Sequence, residues 1–324
     1  MKKIISPVDV AILKSQLKQE YFLRTTNHGN NEIYVVDNTN APDVLREIGR
    51  LREEAFRAGG GGTGQELDLD RFDLDPAYGY KQLVLWDPEA ERIIGGYRYA
   101  LCNNIVYDRF GQPLLTSSHM FQFSRKFIDR ELQHTIELGR SFVTLDYQSS
   151  KGGAKSIFAL DNLFDGLGAL MVMYKSSMKY FFGKMTIYSQ YPTQAREMIQ
   201  VFLSKWFGAE NLRRVRLRKP VRVKRPGKYI KKLTGKTYKD DYRNLKAYVS
   251  SFGVSIPPLV NSYMNLSPKM QYFGTGLNDE FGDVLDSGIM IPFKYIAEDK
   301  IRRHIDTVKP GPLAKLRFLL RRKI

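Results

Sequence analysis

The sequence predicts an α/β protein built on a mixed sheet of about seven strands. Apolar residues recur with period two or at three-to-four spacing in a definite order: strand, helix, three strands, helix, strand, helix, then strands. Hydrophobic residues make up 43% of the 324-residue chain, enough for a sizeable core. The stretch Thr135 to Ala154 reads as a strand, a glycine turn and the start of a long apolar helix. That arrangement can present backbone N–H groups and a positive dipole end to a phosphate.

Taken in order, Ser6-Pro7 predicts a cap with proline at the first helical position, followed by a helix over Ala11 to Phe22. Glu32 to Asp37 is a strand. Asp43 to Arg57 is a helix whose inner face carries Val44, Leu45, Ile48, Leu51, Ala55 and Phe56. The glycines from Gly59 to Gly64 end it and predict a mobile lid or connector, since no Gly-Lys-Ser/Thr follows. After the acidic cluster Glu66 to Asp73, Lys81 to Asp87 and Arg92 to Leu101 form a hairpin. Gly95-Gly96 predict a bulge or a close backbone approach. A long connection carries Phe121, Phe123 and Phe127. The central strand follows, then a helix from about Lys155 to Tyr180, a strand from Lys184 to Ser189 and a helix from Thr193 to Phe207. A short helix over Leu259 to Leu266 and a closing pair, Met270 to Gly276 and Val284 to Phe293, complete the pattern.

On the central strand, alternation puts Glu137, Gly139, Ser141 and Val143 on one face and Leu138, Arg140, Phe142 and Thr144 on the other. A mostly buried strand seldom carries both a Glu and an Arg unless they are paired or used.

The formal net charge of +17 implies an acidic partner: an anionic membrane, nucleic acid, an acidic protein or a phosphorylated cofactor. Cys102 is the only cysteine, so an intramolecular disulfide and a cysteine metal cage are excluded. The histidines are scattered and predict no metal site. The N-terminus has no apolar run long enough for a signal peptide. The longest apolar stretch, Ala159 to Tyr174, contains Asp161, Asn162 and Asp165 and reads as a core helix. The expectation is a cytoplasmic protein, soluble or peripheral on the inner face of the membrane.

Leu51-Arg-Glu-Glu-Ala-Phe56, Asp70-Arg-Phe-Asp73, Gly96-Tyr-Arg98 and Glu137-Leu-Gly-Arg-Ser141, in that order, resemble the signature of one GNAT-fold branch. That branch holds the N-acyltransferases that begin ornithine-lipid and glycine-lipid synthesis, with the acyl-homoserine-lactone synthases as cousins. The resemblance covers roughly Ile33 to Phe207 and, more weakly, Pro257 to Phe293. The basic segment Leu212 to Tyr242 has no counterpart in it. The general phosphate signature of the fold appears only as Gln148-Ser-Ser-Lys-Gly-Gly-Ala154, with one residue more before the glycine.

The resemblance implies a GNAT-like, mostly antiparallel central sheet flanked by helices. The expected organisation is a helical extension over 1–30, an acyltransferase core over 31–211, a basic insertion over 212–256, closing strands over 257–308 and a basic amphipathic tail over 309–324. It implies a thioester donor, acyl carrier protein or coenzyme A, an amino-acid acceptor of the glycine or ornithine type, and no permanently bound cofactor. Catalytic roles fall on Glu137 and Arg140. Acceptor binding falls on Arg52, Phe56, Asp70, Asp73, Arg98 and Ser141. The donor's phosphopantetheine falls to Gln148, Lys151, Gly152 and Gly153.

Amide formation from a thioester needs the amine deprotonated, the carbonyl polarised, the thiolate expelled and both substrates held. Glu137 is the candidate base or amine anchor; otherwise it is a structural partner of Arg140 or Arg98. Arg52, Arg98 and Arg140 either bind the acceptor carboxylate or brace the acidic cluster. Asp70 and Asp73 either hold the acceptor's ammonium or pair with those arginines. Tyr188 or Tyr191 could protonate the leaving thiolate, against the simpler reading of packing. Cys102 fills the core, and no covalent acyl-enzyme is expected.

The run Arg213 to Lys228 reads either as a solvated face or as a docking surface for acyl carrier protein or anionic lipid, and the tail Ala314 to Ile324 reads as a membrane-surface helix. Sparse aromatic interleaving argues against nucleic acid. A lactone-forming synthase is the enzymatic alternative, and a basic membrane- or nucleic-acid-binding protein is the alternative from another class.

Overall fold

The computed structural model describes residues 1–148, 153–210 and 213–308. Lys151, Gly152 and the tail expected over 309–324 lie outside the described residues. In chain order the elements are α1 (Val10–Gln16), β1 (Phe22–Thr25), β2 (Glu32–Val36), α2 (Pro42–Ala58), α3 (Arg71–Leu74), β3 (Lys81–Asp87) and β4 (Arg92–Leu101). Then come β5 (Phe121–Phe123), α4 (Arg125–Arg130), β6 (Thr135–Val143), α5 (Gly153–Tyr174), β7 (Tyr180–Ile187) and α6 (Thr193–Phe207). The last are β8 (Val215–Leu217), α7 (Pro226–Ile230), α8 (Tyr238–Ser250), α9 (Pro258–Met264), β9 (Gln271–Asn278) and β10 (Val284–Pro292). The chain divides into two units, one of Met1–Val106, Gln133–Lys179 and the residues from Glu298, the other of Tyr107–Leu132 and Tyr180–Ala297.

In the first unit, β1, β2, β3, β4 and β6 pair in that order, every pair antiparallel. The hairpin of β3 and β4 falls where alternation and its Pro-Glu-Ala-Glu turn place it. Helix α5 covers one face: Gly166 would drive a Cβ to 2.6 Å from Leu83, and Gly95 packs towards Leu163. Helix α2 supplies the other face, with Val44, Leu45, Ile48, Leu51, Ala55 and Phe56 all buried. Its N-cap, Ala41, has no capping side chain. Gln16 supplies the missing acceptor, its Oε1 accepting from Asp43 N at 3.0 Å and Val44 N at 3.2 Å.

The first helix is shorter than expected. Asp9 rather than Ser6 caps it, accepting from Ala11 N at 2.7 Å, so Pro7 lies outside the helix. Phe22, expected as its end, opens β1 instead. The glycine segment after α2 is tied down and is not a free lid. The carboxylate of buried Glu53 accepts from Thr63 N at 3.0 Å, Thr63 Oγ1 at 2.8 Å and Gly64 N at 2.7 Å.

Two polar residues of the expected core helix tie it to other segments of the chain. In α5, Asp165 accepts from Asn27 N and Nδ2, each at 2.8 Å, and contacts His304 Nδ1 at 2.7 Å. Asn162 donates to the His28 carbonyl at 2.9 Å.

In the second unit, β10 pairs with both β7 and β9, and β5 pairs with β8, all antiparallel. Phe121, Phe123, Phe127, Phe182 and Phe273 form its aromatic centre. The basic region is more ordered than its composition suggests. It contributes β8, α7 and the thirteen-residue α8, capped by Thr237, whose side chain accepts from Asp240 N. Buried Asp241 receives Lys205 Nζ at 2.5 Å and Trp206 Nε1 at 3.1 Å, which moors α8 to α6.

Candidate active site

The site grows from one buried guanidinium in the first unit. Arg52 lies on the inward stripe of α2 and is 0% exposed. Its Nε donates to Asp68 at 3.0 Å, its Nη1 and Nη2 donate to the two oxygens of Asp73 at 3.1 and 3.0 Å, and Nη2 also reaches the Asp68 carbonyl at 2.5 Å. The fork of two parallel bonds to Asp73 is geometry that a lysine cannot reproduce.

Asp70 and Asp73 owe their positions to a capping box. Asp70 caps α3, accepting from Phe72 N and Asp73 N, and Asp73 returns the bond by accepting from Asp70 N at 3.1 Å. Arg98 on β4 donates from Nη1 to Asp70 at 2.8 Å and to Asp73 at 2.7 Å. Gln82, beside it on β3, donates to Asp73 at 2.9 Å. Burial would raise the Asp73 carboxyl, but Arg52 and Arg98 outweigh it and hold the group well below the usual carboxylate range. Burial likewise opposes the charge on Asp68, and Arg140 and Arg52 overcome it, lowering that carboxyl too. Burial also works against the Arg98 cation, and Asp73 and Asp70 more than compensate. The Nε of Arg98 is buried with no hydrogen-bond partner among the described residues.

Strand β6 carries the remaining residues and departs from simple alternation. Gly96 and Arg98 on β4 oppose Phe142 and Gly139, so β6 holds one residue more than its partner across this step. Arg140 takes φ +48°, a left-handed value that few non-glycine residues adopt. The bulge resets the pleat. The Phe142 ring lies against the α-carbon of Gly96, on the side opposite α5, which is also the side of Glu137 and Arg98. The two-face division expected for Arg140 and Phe142 is therefore incorrect beyond Gly139, because one extra residue inverts the parity of every residue after it. Arg140 turns its Nε to Asp68 at 3.0 Å, with a second guanidinium nitrogen 4.0 Å from Asp70.

Glu137 is 1% exposed and accepts a hydrogen bond from the Tyr80 hydroxyl. The Arg98 guanidinium sits over the Tyr80 ring, 5.4 Å from its centroid, and Phe72 packs edge-on against the same ring. Cys102 is buried nearby. Burial first, and then the Glu137 charge, push its thiol well above the ordinary value, which suits a core residue and not a nucleophile.

The fold thus brings together Arg52, Asp70, Asp73, Arg98, Glu137 and Arg140. The bracing role left open for the arginines is occupied: Arg52, Arg98 and Arg140 all bind carboxylates of the acidic cluster. Phe56 lies in the core of α2, and Ser141 is half-buried on the bulge. Gln148 turns back to the strand, its Nε2 donating to the Val143 carbonyl at 2.6 Å. Gly153 opens α5. Two members were not singled out from sequence, Asp68 and Tyr80. Asp68 lay inside the acidic cluster, and Tyr80 lies two residues before Gln82 on the same face, but neither spacing pointed to its partner.

In the second unit, the Tyr191 hydroxyl donates to the Ser255 carbonyl at 3.0 Å, in keeping with packing. A cleft of about 780 Å³ there is lined by Ser204, Arg213, Arg216, Arg222, Tyr272 and Thr275. No cluster of metal-ligating side chains occurs among the described residues, and no helix among them is long and apolar enough to cross a membrane.

Three comparisons bear on this geometry. A family profile described as an acetyltransferase (GNAT) domain matches residues 51–155, which span every charged member of the network. A glycine N(alpha)-acyltransferase of Phocaeicola vulgatus is 50% identical over 318 residues, 97% of this chain and 96% of the relative. A glycine N(alpha)-acyltransferase of Bacteroides thetaiotaomicron is 51% identical over 309 residues, 95% of this chain and 90% of the relative. With a buried carboxylate held beside a bulged central strand, and with that likeness running almost end to end, the chain is an amino-acid N-acyltransferase and belongs to the GNAT-fold family of the glycine N(alpha)-acyltransferases.

Proposed function

We propose that the protein transfers a fatty acyl group from an acyl carrier protein thioester to the amine of glycine, the opening step of aminolipid synthesis. The observation that carries this reading is the Glu137 carboxylate, buried and fixed by Tyr80 on the face that also bears Arg98 and Asp70. Half-identity to two enzymes named for glycine favours that acceptor over ornithine.

The amine nitrogen attacks the thioester carbonyl carbon, the carbon–sulfur bond breaks, and the thiolate leaves. Glu137 takes the ammonium proton directly or through water. Polarisation of the carbonyl oxygen as tetrahedral charge develops would fall to hydrogen-bond donors beside the bulge at Arg140. The network reaches solvent at Arg140 and Asp70, whose side chains are 18% and 34% exposed. There the part-exposed Arg140 guanidinium would hold an acceptor carboxylate and Asp70 its ammonium. No step requires a permanently bound cofactor, and the enzyme would work in the cytoplasm, where both substrates are made.

The test is direct. Purified protein is given an acyl carrier protein thioester or, separately, the coenzyme A thioester, with an equimolar mixture of glycine, ornithine, serine and alanine, with and without EDTA, and products are identified by mass spectrometry. N-acylglycine should dominate and EDTA should change nothing. Preferential acylation of another amine, or turnover only with the coenzyme A thioester, would replace the corresponding half of the proposal.

A further inference from the structure

The second unit presents an aromatic side chain to solvent on a turn built to hold it there. Phe110 is 75% exposed. Asp108 organises the turn: its carboxylate accepts from Phe110 N and Gln112 N at 2.8 Å each, and its backbone N donates to the Gln112 carbonyl at 2.8 Å. A bridge between Tyr107 and Pro113 closes the base. Gln112 then fastens the turn to β5 by two bonds with the backbone of Phe123, each 3.0 Å. A phenyl ring on a loose loop needs no explanation, but one on a turn with this many constraints is held in water at a cost.

Two arginines border this turn, Arg109 and Arg125, the second of them also paired with Asp129 at 3.0 Å. The Arg109 guanidinium lies 4.7 Å from the Phe110 ring centroid, and Arg125 Nη1 is 3.7 Å from the Cβ position of Gly111. Strand β5 pairs with β8, whose outward residue Arg216 sits opposite exposed Gln122, while Phe121, Phe123 and Val215 point inward. The run from Arg213 to Lys228 contains no Asp or Glu. The turn and the basic run are thus parts of one ribbon.

We propose that this ribbon is a peripheral docking surface for an anionic lipid bilayer, with Phe110 as its inserted anchor and the arginines as its electrostatic contact. An aromatic ring flanked by cations is matched to the headgroup boundary, where the ring leaves water and each basic residue meets anionic lipid. The acyl-transfer reading, on which this part rests, gives the surface a purpose, since an N-acylated product carries a chain that belongs in the bilayer.

The test uses the full chain and vesicles of phosphatidylcholine with or without phosphatidylglycerol, read by co-sedimentation without substrate. Wild type should bind the anionic vesicles, less as salt rises. Phe110→Ser should weaken binding about tenfold or more, given the transfer free energy of a phenyl side chain. Arg216→Gln with Arg222→Gln should weaken it by about fivefold per residue. Both variants should keep the wild-type thermal unfolding profile and lipid-free turnover. Equal binding to neutral vesicles, or unchanged binding in both variants, overturns the proposal. A raised KM for the carrier thioester in the lipid-free assay, with vesicle binding intact, would assign the surface to the carrier protein instead. Because binding is read without substrate, its failure is distinct from failure of the proposed reaction.

Discussion

Removing the guanidinium of Arg52 should destabilise the first unit far more than removing an exposed one. Arg52→Met keeps an aliphatic stem but deletes four hydrogen bonds to Asp68 and Asp73. Both carboxylates stay buried, at 1% and 0% side-chain exposure. Neither is abandoned, since Asp68 keeps Arg140 and Asp73 keeps Arg98 and Gln82. Breaking a buried pair by removing one partner costs about 3–5 kcal/mol, and the surviving partners place this one near the lower end, at about 3 kcal/mol. Arg92, whose pair with Asp146 is 53% and 76% exposed, is the comparator, and Arg92→Met should cost no more than about 1 kcal/mol. Arg52→Lys should recover less than half of the loss, because an ammonium cannot make the bidentate contact. The two tryptophans allow a local readout. Trp86 lies on β3 and Trp206 on α6, so in a Trp206→Phe background urea unfolding followed by fluorescence reports the first unit. A loss in Arg52→Met no greater than that in Arg92→Met would refute the view that this network holds α2 to the sheet.

Three further outcomes follow from the same geometry. Glu137→Gln preserves volume and should lower kcat by about 10²–10⁴-fold with the fold intact, and wild-type turnover would remove Glu137 from the mechanism. Asp68 and Asp73 have depressed carboxyl values, so their stabilisation is complete above the unfolded value of about 3.9 and is lost as pH falls towards the lower folded values. The Trp86-monitored urea midpoint should therefore drop from about pH 4 downward, with a shallower slope in Asp73→Asn. Glu53→Gln removes a charged acceptor from three donors of the glycine segment, and limited proteolysis should then cut between Gly59 and Gly64 faster than in wild type.

What the sequence determined by itself is local. The apolar spacing of α2, the alternation of β3 and β4, and the glycines that stop α2 are short-range physics, and each appears in the fold where the spacing puts it. The four motifs in order carried the family for the same reason, since they are read residue by residue. Tertiary structure alone decided the rest. A bulge is one residue inserted into a pleat, invisible to a period of two until a partner strand fixes the register, so Arg140 and Phe142 changed faces. Asp68 became the hub of the network because Arg52 and Arg140 meet there from α2 and β6, a long-range pairing that composition cannot specify. Tyr80 reached Glu137 across 57 positions of chain through two antiparallel ladders. Glycine freedom predicted a lid after α2, but three hydrogen bonds to Glu53 outweigh that freedom. Local propensity sets which elements form; burial, charge pairing and strand register decide which side chains meet.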